Sequence, residues 1–211
     1  MIKNLMFDLG GVIMNIRREN CVEAFKELGM TDADKFLGEY AQAGAFGDIE
    51  SGKCTAGEFR DEIRRMVGKP LADEQIDKAF GKFLLGIPPY RLEELHRLSK
   101  RFNLYLLSNT NPIMWHREIA DSFAQEGHDV NYYFKGVVRS YEAKVMKPEA
   151  EIFHVAERRF GIKPDETIFL DDSKANCEAA ERLGFKTIHV APGKEFYQLL
   201  CQYPGLDLKD C

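Results

Sequence analysis

Short apolar runs alternate with amphipathic segments along most of the chain. The apolar runs end in polar or turn residues, as buried strands do: LMF before Asp8, NLYLLSN at 103–109, TIFLDD at 167–172 and KTIHV at 186–190. Segments with helical spacing of apolar residues lie between them, and they cover residues 88–102, 112–127, 148–161 and 173–184. Strand and helix, repeated from residue 88 onwards, predict an α/β fold with a doubly wound parallel sheet and a Rossmann-like core.

Residues 15–88 break this alternation. They show helical spacing and no convincing strand, and Thr55 with Glu58 has the spacing of a capping box. So long a segment after one strand is unusual, so it is predicted to be a helical cap, either a lid over the site or a packing subdomain. The predicted domains are a core of residues 1–14 and 89–211 and a cap of residues 15–88.

Composition and charge narrow the class of protein. The 211 residues are 45 % hydrophobic, which is enough for one substantial core. With 29 basic and 34 acidic side chains the net charge is −5, which predicts no nucleic acid and no membrane surface as a partner. No apolar run approaches the ~20 residues of a membrane span, and the five cysteines, never arranged as C-x-x-C, predict free thiols. We therefore predict a cytoplasmic protein, with monomer and homodimer both open.

Polar and reactive side chains stand where the predicted strands end. They are Asp8, Ser108, Asn109, Asp171 and Asp172, together with Lys147, which precedes Pro148 at the predicted start of a helix. Taken singly, each also fits a turn, a helix cap or a solvated surface position. Because the carboxyl ends of parallel strands meet at one edge of a sheet, we expect these side chains to lie together.

Three carboxylates at one sheet edge repel each other unless a cation lies among them. Mg²⁺ fits, since it prefers one or two carboxylates together with waters and phosphate oxygens. Lys147, the Ser108 hydroxyl and backbone N–H groups are then suited to hold a phosphoryl group, and a carboxylate beside it can form an aspartyl-phosphate. The residues thus predict Mg²⁺-dependent chemistry on a small phosphorylated metabolite.

Four segments carry a resemblance to a known family. FDLGGV, LLSNTN, KPEAEIF and FLDDSKAN, in this order, resemble the four motifs of the haloacid dehalogenase superfamily, whose members are mostly Mg²⁺-dependent phosphatases. The first motif is most similar to the branch with DLGNV-type motifs, which includes a phosphatase acting on glucose 1-phosphate. The resemblance implies a hydrolase for a small phosphate monoester, such as a sugar phosphate, with residues 15–88 as a mobile cap.

The resemblance also implies a set of metal ligands. Asp8 is expected to be the nucleophile and a Mg²⁺ ligand, with the backbone carbonyl of Gly10 as a second ligand. Asp172 is expected to hold the metal, and Asp171 to do so directly or through water. Asn176 stands where many relatives carry a further acid, so its role stays open.

The same resemblance implies how the phosphoryl group is held. Ser108 is expected to bind it, with Asn109 as a further substrate-binding residue. Lys147 is expected to bind it as well and to balance the charge of the nucleophile and the phosphate. The implied catalytic residues are therefore Asp8, Ser108 and Lys147.

Gly10 departs from the family pattern. Most phosphatases of the family carry a second aspartate there, which protonates the leaving oxygen and later activates water, and glycine can move no proton. General acid or base catalysis is worth roughly 10²–10⁴ in rate. A slower phosphatase and one with a substitute donor, either His116 or an acid from the cap, both stay open. The stretch AFGDIESGK at 45–53 is predicted to be a cap loop that dips into the site.

Two alternatives to a phosphatase remain. A non-catalytic phospholigand-binding or scaffold protein would keep the fold and lose turnover, and Gly10 is the reason to consider it. A 2-haloacid dehalogenase would also use the aspartate of the first motif, but it needs no Mg²⁺. The pair Asp171 and Asp172, which is suited to a metal ion, argues against the dehalogenase.

Overall fold

The sheet at the centre of the molecule is parallel throughout. The computed structural model describes residues 1–38, 42–206 and 208. The strands are β1 (Asn4–Phe7), β2 (Asn15–Ile16), β3 (Leu84–Gly86), β4 (Asn103–Ser108), β5 (Gly136–Arg139), β6 (Thr167–Asp171) and β7 (Lys186–His189). In the part of the chain that the structure describes, five of them form one parallel sheet in the order β5-β4-β1-β6-β7.

The central strand is β1, and its residues are buried on both faces of the sheet. It pairs with β4 on one side and with β6 on the other. Its side chains alternate between two cores, with Leu5 and Phe7 in one and Met6 in the other. Because the chain order reverses beside β1, the carboxyl ends of the strands there form the crevice in which such sheets bind ligands.

Helices cover both faces of the sheet. They are α1 (Arg18–Leu28), α2 (Gly44–Glu50), α3 (Ala56–Val67), α4 (Asp73–Gly81), α5 (Pro89–Ser99), α6 (Pro112–Met114), α7 (Ala120–Ala124), α8 (Val130–Tyr133), α9 (Ser140–Ala143), α10 (Ala150–Phe160), α11 (Lys174–Arg182) and α12 (Phe196–Cys201). A π-helical stretch, Trp115–Ile119, joins α6 to α7. Helix α5 packs on the core that contains Leu5, whereas α10 and α11 pack on the core that contains Met6. The predicted α/β fold with a doubly wound parallel sheet is confirmed.

Three short strands were not predicted from the sequence. Strand β5 has four residues and lies at the edge of the sheet. Strands β2 and β3, of two and three residues, lie within 15–88, so the prediction that this segment has no strand is wrong. Strands of two and three residues are too short to show an alternating pattern. Because β2 and β3 pair antiparallel with each other, the chain leaves the core and returns to it at neighbouring positions.

Helices α1 to α4 pack around a cluster of buried phenylalanines. These are Phe25, Phe46, Phe59 and Phe80. Their ring centroids lie 5.0–6.1 Å apart in the pairs that contact each other. The predicted capping box begins α3, since the Glu58 N–H donates to Thr55 Oγ1 (3.2 Å) and the Thr55 N–H donates to Glu58 Oε2 (2.8 Å). We interpret these helices as the cap, and the boundaries of the two domains stay a prediction.

The stretch 45–53 is mostly helical, so the prediction of a loop is wrong. Helix α2 runs to Glu50 and buries Phe46 and Ile49, which lie one turn apart on one face. Gly47 lies inside the helix, and Gly52 follows it. The burial of two large side chains outweighs the low helix propensity of glycine.

Two further expectations can be compared with the structure. Among the residues that the structure describes, none of the helices is long and apolar enough to cross a membrane. Cys21, Cys54 and Cys177 are free thiols, as predicted. Cys201 is disulfide-bonded, so the prediction of a free thiol is wrong for this residue, and Cys211 lies outside the described residues.

Candidate active site

Asp8 stands at the point where the central strand ends. Its backbone N–H donates to the carbonyl of Leu170 in β6 (2.8 Å), so the ladder of the sheet continues to this residue. The chain then turns back, and Gly11 adopts a φ of +73°. A Cβ atom at Gly11 would lie 2.2 Å from Oδ2 of Asp172. Glycine is therefore required where the loop after β1 passes the carboxylate that follows β6.

Lys147 lies between two carboxylates in this crevice. Its Nζ is 2.8 Å from Oδ1 of Asp8 and 2.7 Å from Oδ2 of Asp171, and its side chain is 1 % exposed. Burial alone would lower the pKa of Lys147, but the charges of Asp171 and Asp8 outweigh it and raise the pKa above its ordinary value. The lysine is thus a fixed positive charge beside Asp8.

The backbone at Lys147 is held by Asn109. Nδ2 of Asn109 donates to the carbonyl of Lys147 (3.0 Å), and the N–H of Lys147 donates to Oδ1 of Asn109 (2.9 Å). Helix α10 begins at Ala150 and not at Pro148 as predicted, and the Lys147–Pro148 bond is cis. The side-chain amide of Asn109 therefore positions the lysine, and a contact of Asn109 with a phosphoryl group would come from its backbone.

Asp171 is fully buried, and its carboxylate accepts hydrogen bonds from three neighbouring residues. Its Oδ2 accepts from Lys147 Nζ (2.7 Å), and its Oδ1 accepts from the N–H of Ser173 (2.8 Å) and from Nδ2 of Asn176 (2.9 Å). A carboxylate has about four acceptor positions, so about one stays available for a metal ion. The amide of Asn176 thus supports the Asp171 carboxylate.

The carboxylates of Asp8, Asp171 and Asp172 offer an oxygen-lined site for a cation. One oxygen from each lies within 4.8 Å of the others. Burial raises the pKa of Asp8 and of Asp172, the neighbouring carboxylates raise both further, and Lys147 opposes this. Three carboxylates and one ammonium group leave two negative charges, which a divalent cation neutralises. Hard oxygen donors in this number fit Mg²⁺.

A cavity of about 90 Å³ opens in front of Asp8. Its core side includes Asp8, Gly10, Ser108, Asn109, Lys147 and Asp172. Its other side is formed by residues from the segment 15–88, namely Gln42, Glu50, Phe80, Phe83 and Leu84. The residues predicted from the sequence therefore meet at one cavity, with Asp171 behind it.

For some residues the position in the structure differs from the one predicted from the sequence, or no prediction was made from the sequence. His116, a candidate proton donor, is exposed and does not line the cavity. Glu50 does line it. It lies in the stretch 45–53 that was predicted to enter the site, and an acid from the cap was a candidate donor, but the sequence did not single out Glu50 because its place depends on how α2 packs. Ser140 was also missed: its Oγ accepts from the N–H of Thr110 (2.9 Å) and so fixes the loop after β4.

Comparisons with known proteins agree with this geometry. A family model described as haloacid dehalogenase-like hydrolase matches residues 2–184. D-ribitol-5-phosphate phosphatase of Bacteroides thetaiotaomicron is 37 % identical over 200 residues, which cover 95 % of this chain and 97 % of that protein. The crystal structure of a HAD family enzyme from the same organism, in complex with magnesium and inorganic phosphate, is 42 % identical with a TM-score of 0.89 and covers 94 % of this chain and 99 % of its own. An L-2-haloacid dehalogenase of Xanthobacter autotrophicus, at 17 % identity, a TM-score of 0.60 and coverages of 90 % and 77 %, shares the fold alone.

Proposed function

This chain belongs to the haloacid dehalogenase-like hydrolase family, and we propose that it is a Mg²⁺-dependent phosphatase that hydrolyses the phosphate monoester of a small polyol or sugar through a covalent intermediate on Asp8. One observation carries the proposal: Asp8 lies 2.8 Å from Lys147 Nζ in a cavity that Asp172 also lines. A nucleophile, a fixed cation and oxygen ligands for Mg²⁺ are the parts that phosphoryl transfer needs. Similarity to a D-ribitol-5-phosphate phosphatase over 95 % of the chain supports the substrate class.

The proposed reaction has two steps. An oxygen of Asp8 attacks phosphorus and the bond to the leaving alcohol breaks, after which water attacks the aspartyl-phosphate and releases inorganic phosphate. Lys147 opposes the rise in the pKa of Asp8 that burial causes, and it offsets the charge of the phosphoryl group, to which the Ser108 hydroxyl donates. When bound by Asp8, Asp172 and the carbonyl of Gly10, Mg²⁺ would neutralise negative charge on the phosphoryl oxygens.

The size of the cavity supports a small substrate. Its volume of about 90 Å³ is well below the ~300–1,000 Å³ of pockets for drug-sized ligands. Gln42 and Glu50 are polar groups that suit hydroxyls, and Phe83 forms part of an apolar wall. A short phosphorylated polyol suits this cavity better than a nucleotide does.

We also propose that the protein acts on this metabolite in the cytoplasm, as a monomer or a homodimer. The net charge of −5 supports a small metabolite rather than a nucleic acid as its partner. Sedimentation velocity of the purified protein would decide between monomer and homodimer.

Phosphate release tests the proposed activity. We expect release from D-ribitol 5-phosphate, or from another member of a panel of polyol and sugar phosphates, with Mg²⁺ and not with a chelator. Asp8→Asn should lower kcat by at least about 10³-fold, because a neutral amide is a poor nucleophile. Asp165→Asn, which changes an exposed aspartate outside the cavity, should leave kcat unchanged.

Three results would contradict the proposal. One is an Asp8→Asn variant as fast as the wild type on every compound. Another is binding of phosphorylated compounds with no Mg²⁺-dependent release, which would indicate a non-catalytic phospholigand-binding protein. Fluoride release from fluoroacetate without metal would indicate a dehalogenase instead.

A further inference from the structure

Apart from Asp8, the proposed nucleophile, the loop after β1 has no side chain that can move a proton to the leaving oxygen. The nearest atoms to a Cβ built at Gly10 are methyl carbons of Ile16, at 3.4 and 3.7 Å. This side of the loop is therefore apolar and offers no substitute for the missing acid. A leaving alkoxide needs a proton donor from elsewhere in the cavity.

Titratable side chains are few among the described residues that line the cavity. They are Asp8, Glu50, Lys147 and Asp172. Asp8 is the proposed nucleophile and Asp172 a proposed metal ligand, while Lys147 Nζ already contacts Asp8 and Asp171. Glu50 is left, and none of the residues that the structure describes donates a hydrogen bond to its carboxylate or forms an ion pair with it.

Packing fixes Glu50 at the cavity. It is the last residue of α2, which is anchored by the buried Phe46 and Ile49. Gly52 follows with a φ of +66°, and a Cβ atom there would lie 2.2 Å from the carbonyl oxygen of Tyr141. This close backbone approach holds the end of α2 against α9 of the core.

The surroundings of Glu50 favour its protonated form. Burial raises its pKa to about 8, and the charge of Asp8 raises it as well. The carboxyl group therefore carries its proton near neutral pH, which is the state in which it can donate.

On the basis of the phosphatase proposed above, we infer that Glu50 is the general acid and base of the reaction, in place of the acid missing at Gly10. As Asp8 attacks phosphorus, the electron pair of the breaking P–O bond stays on the leaving oxygen, which takes the proton of Glu50. In the second step the Glu50 carboxylate takes a proton from the attacking water, the bond between phosphorus and Asp8 breaks, and inorganic phosphate leaves. Glu50 is then protonated again.

The dependence of the rate on the leaving group tests this role. An alkyl alkoxide must be protonated as it leaves, whereas p-nitrophenolate leaves without a proton. Glu50→Gln keeps the shape of the side chain, and we expect it to lower kcat/KM, which covers the steps up to release of the leaving group, by roughly 10²–10⁴ for an alkyl phosphate that the wild type hydrolyses, such as D-ribitol 5-phosphate. For p-nitrophenyl phosphate we expect a loss in kcat/KM on the order of threefold or less, while kcat falls for both compounds where hydrolysis of the common aspartyl-phosphate limits it. Asp48→Asn, an exposed acid on the same helix, should match the wild type on both.

The outcomes separate the two proposals. Equal losses in kcat/KM on both compounds, or no loss in kcat/KM on the alkyl phosphate, would overturn the role of Glu50. Turnover of p-nitrophenyl phosphate by Glu50→Gln also shows that the variant folds and that its site is assembled. If the wild type releases phosphate from neither compound with Mg²⁺, both proposals fall, and the wild type alone reveals this.

Discussion

Gly11 lies close to the carboxylate of Asp172, a proposed metal ligand. Its φ is +73°, and a Cβ atom would lie 2.2 Å from Oδ2 of Asp172. Gly11→Ala should therefore displace the Asp172 carboxylate and weaken Mg²⁺ binding by at least about 10-fold, a loss typical of disturbed groups around a metal site. Isothermal titration calorimetry would measure this affinity.

Gly161 offers a matched control for that variant. It has a similar φ of +63°, but a Cβ atom there would meet nothing within 4 Å. Gly161→Ala should cost about 1–2 kcal/mol of unfolding free energy through backbone strain and leave the Mg²⁺ affinity unchanged. If both alanine variants bind Mg²⁺ equally well, the close approach of Gly11 to Asp172 has no role in metal binding.

Protons and Mg²⁺ compete for the same carboxylates. Burial raises the pKa of Asp172 to about 6 and that of Asp8 to about 8. Because Mg²⁺ binds the ionised form and displaces the proton, its affinity should rise as the pH increases from about 6 to about 8. Calorimetric titrations in two buffers of different ionisation enthalpy would show the proton release, and an affinity that is constant over this range would contradict the prediction.

At the residue scale, the sequence revealed the residues that stand at strand ends. Asp8, Ser108 and Asp172 could be predicted to converge because parallel strands bring their carboxyl ends to one edge. The stretch 45–53 was predicted to reach the site, but Glu50 could not be singled out within it, because its position depends on the packing of α2 against distant parts of the chain. The role of Asp171 also depends on contacts made in three dimensions, in which its oxygens accept from Lys147, Ser173 and Asn176.

Helix α2 depends on the phenylalanine cluster for its position. The ring of Phe46 lies 5.0 Å from that of Phe25 and 5.2 Å from those of Phe59 and Phe80. Phe46→Ala should cost about 3–5 kcal/mol of unfolding free energy, because it leaves a cavity at a buried aromatic position. Urea denaturation would measure the loss, with Phe46→Leu as a milder control. A loss as small as that of a surface substitution would mean that the cluster does not hold the helix.

At the scale of elements, the length of a strand or helix decides whether the repeat of its apolar residues can predict it. The strands β1, β4 and β6 and the helices α10 and α11 could be predicted because their apolar residues repeat over several positions. Strands β2 and β3 are too short to show a period. Helix α2 contains two glycines within seven residues, and only tertiary burial makes it helical.

Binding of Mg²⁺ at the negatively charged site should stabilise the fold of the whole molecule. A Mg²⁺ ion that binds only the folded form stabilises it by about 2.7 kcal/mol at 100 times its Kd. For a chain of this length that corresponds to a rise in Tm of roughly 5–10 °C. Differential scanning fluorimetry should show this rise with Mg²⁺ and its loss with a chelator. A wild type without the rise would mean that the folded protein does not bind Mg²⁺, and an Asp172→Asn variant that keeps the rise would place the ion elsewhere. Sodium chloride of equal ionic strength is the control.

The antiparallel pair formed by β2 and β3 has a consequence for the evolution of such a chain by recombination. The segment between these strands can be exchanged as one piece without interrupting the parallel sheet. Asp8 lies in the sheet region, whereas Glu50 lies in the exchangeable segment. Recombination at the pair would therefore transfer substrate choice and proton supply together while the nucleophile stays behind.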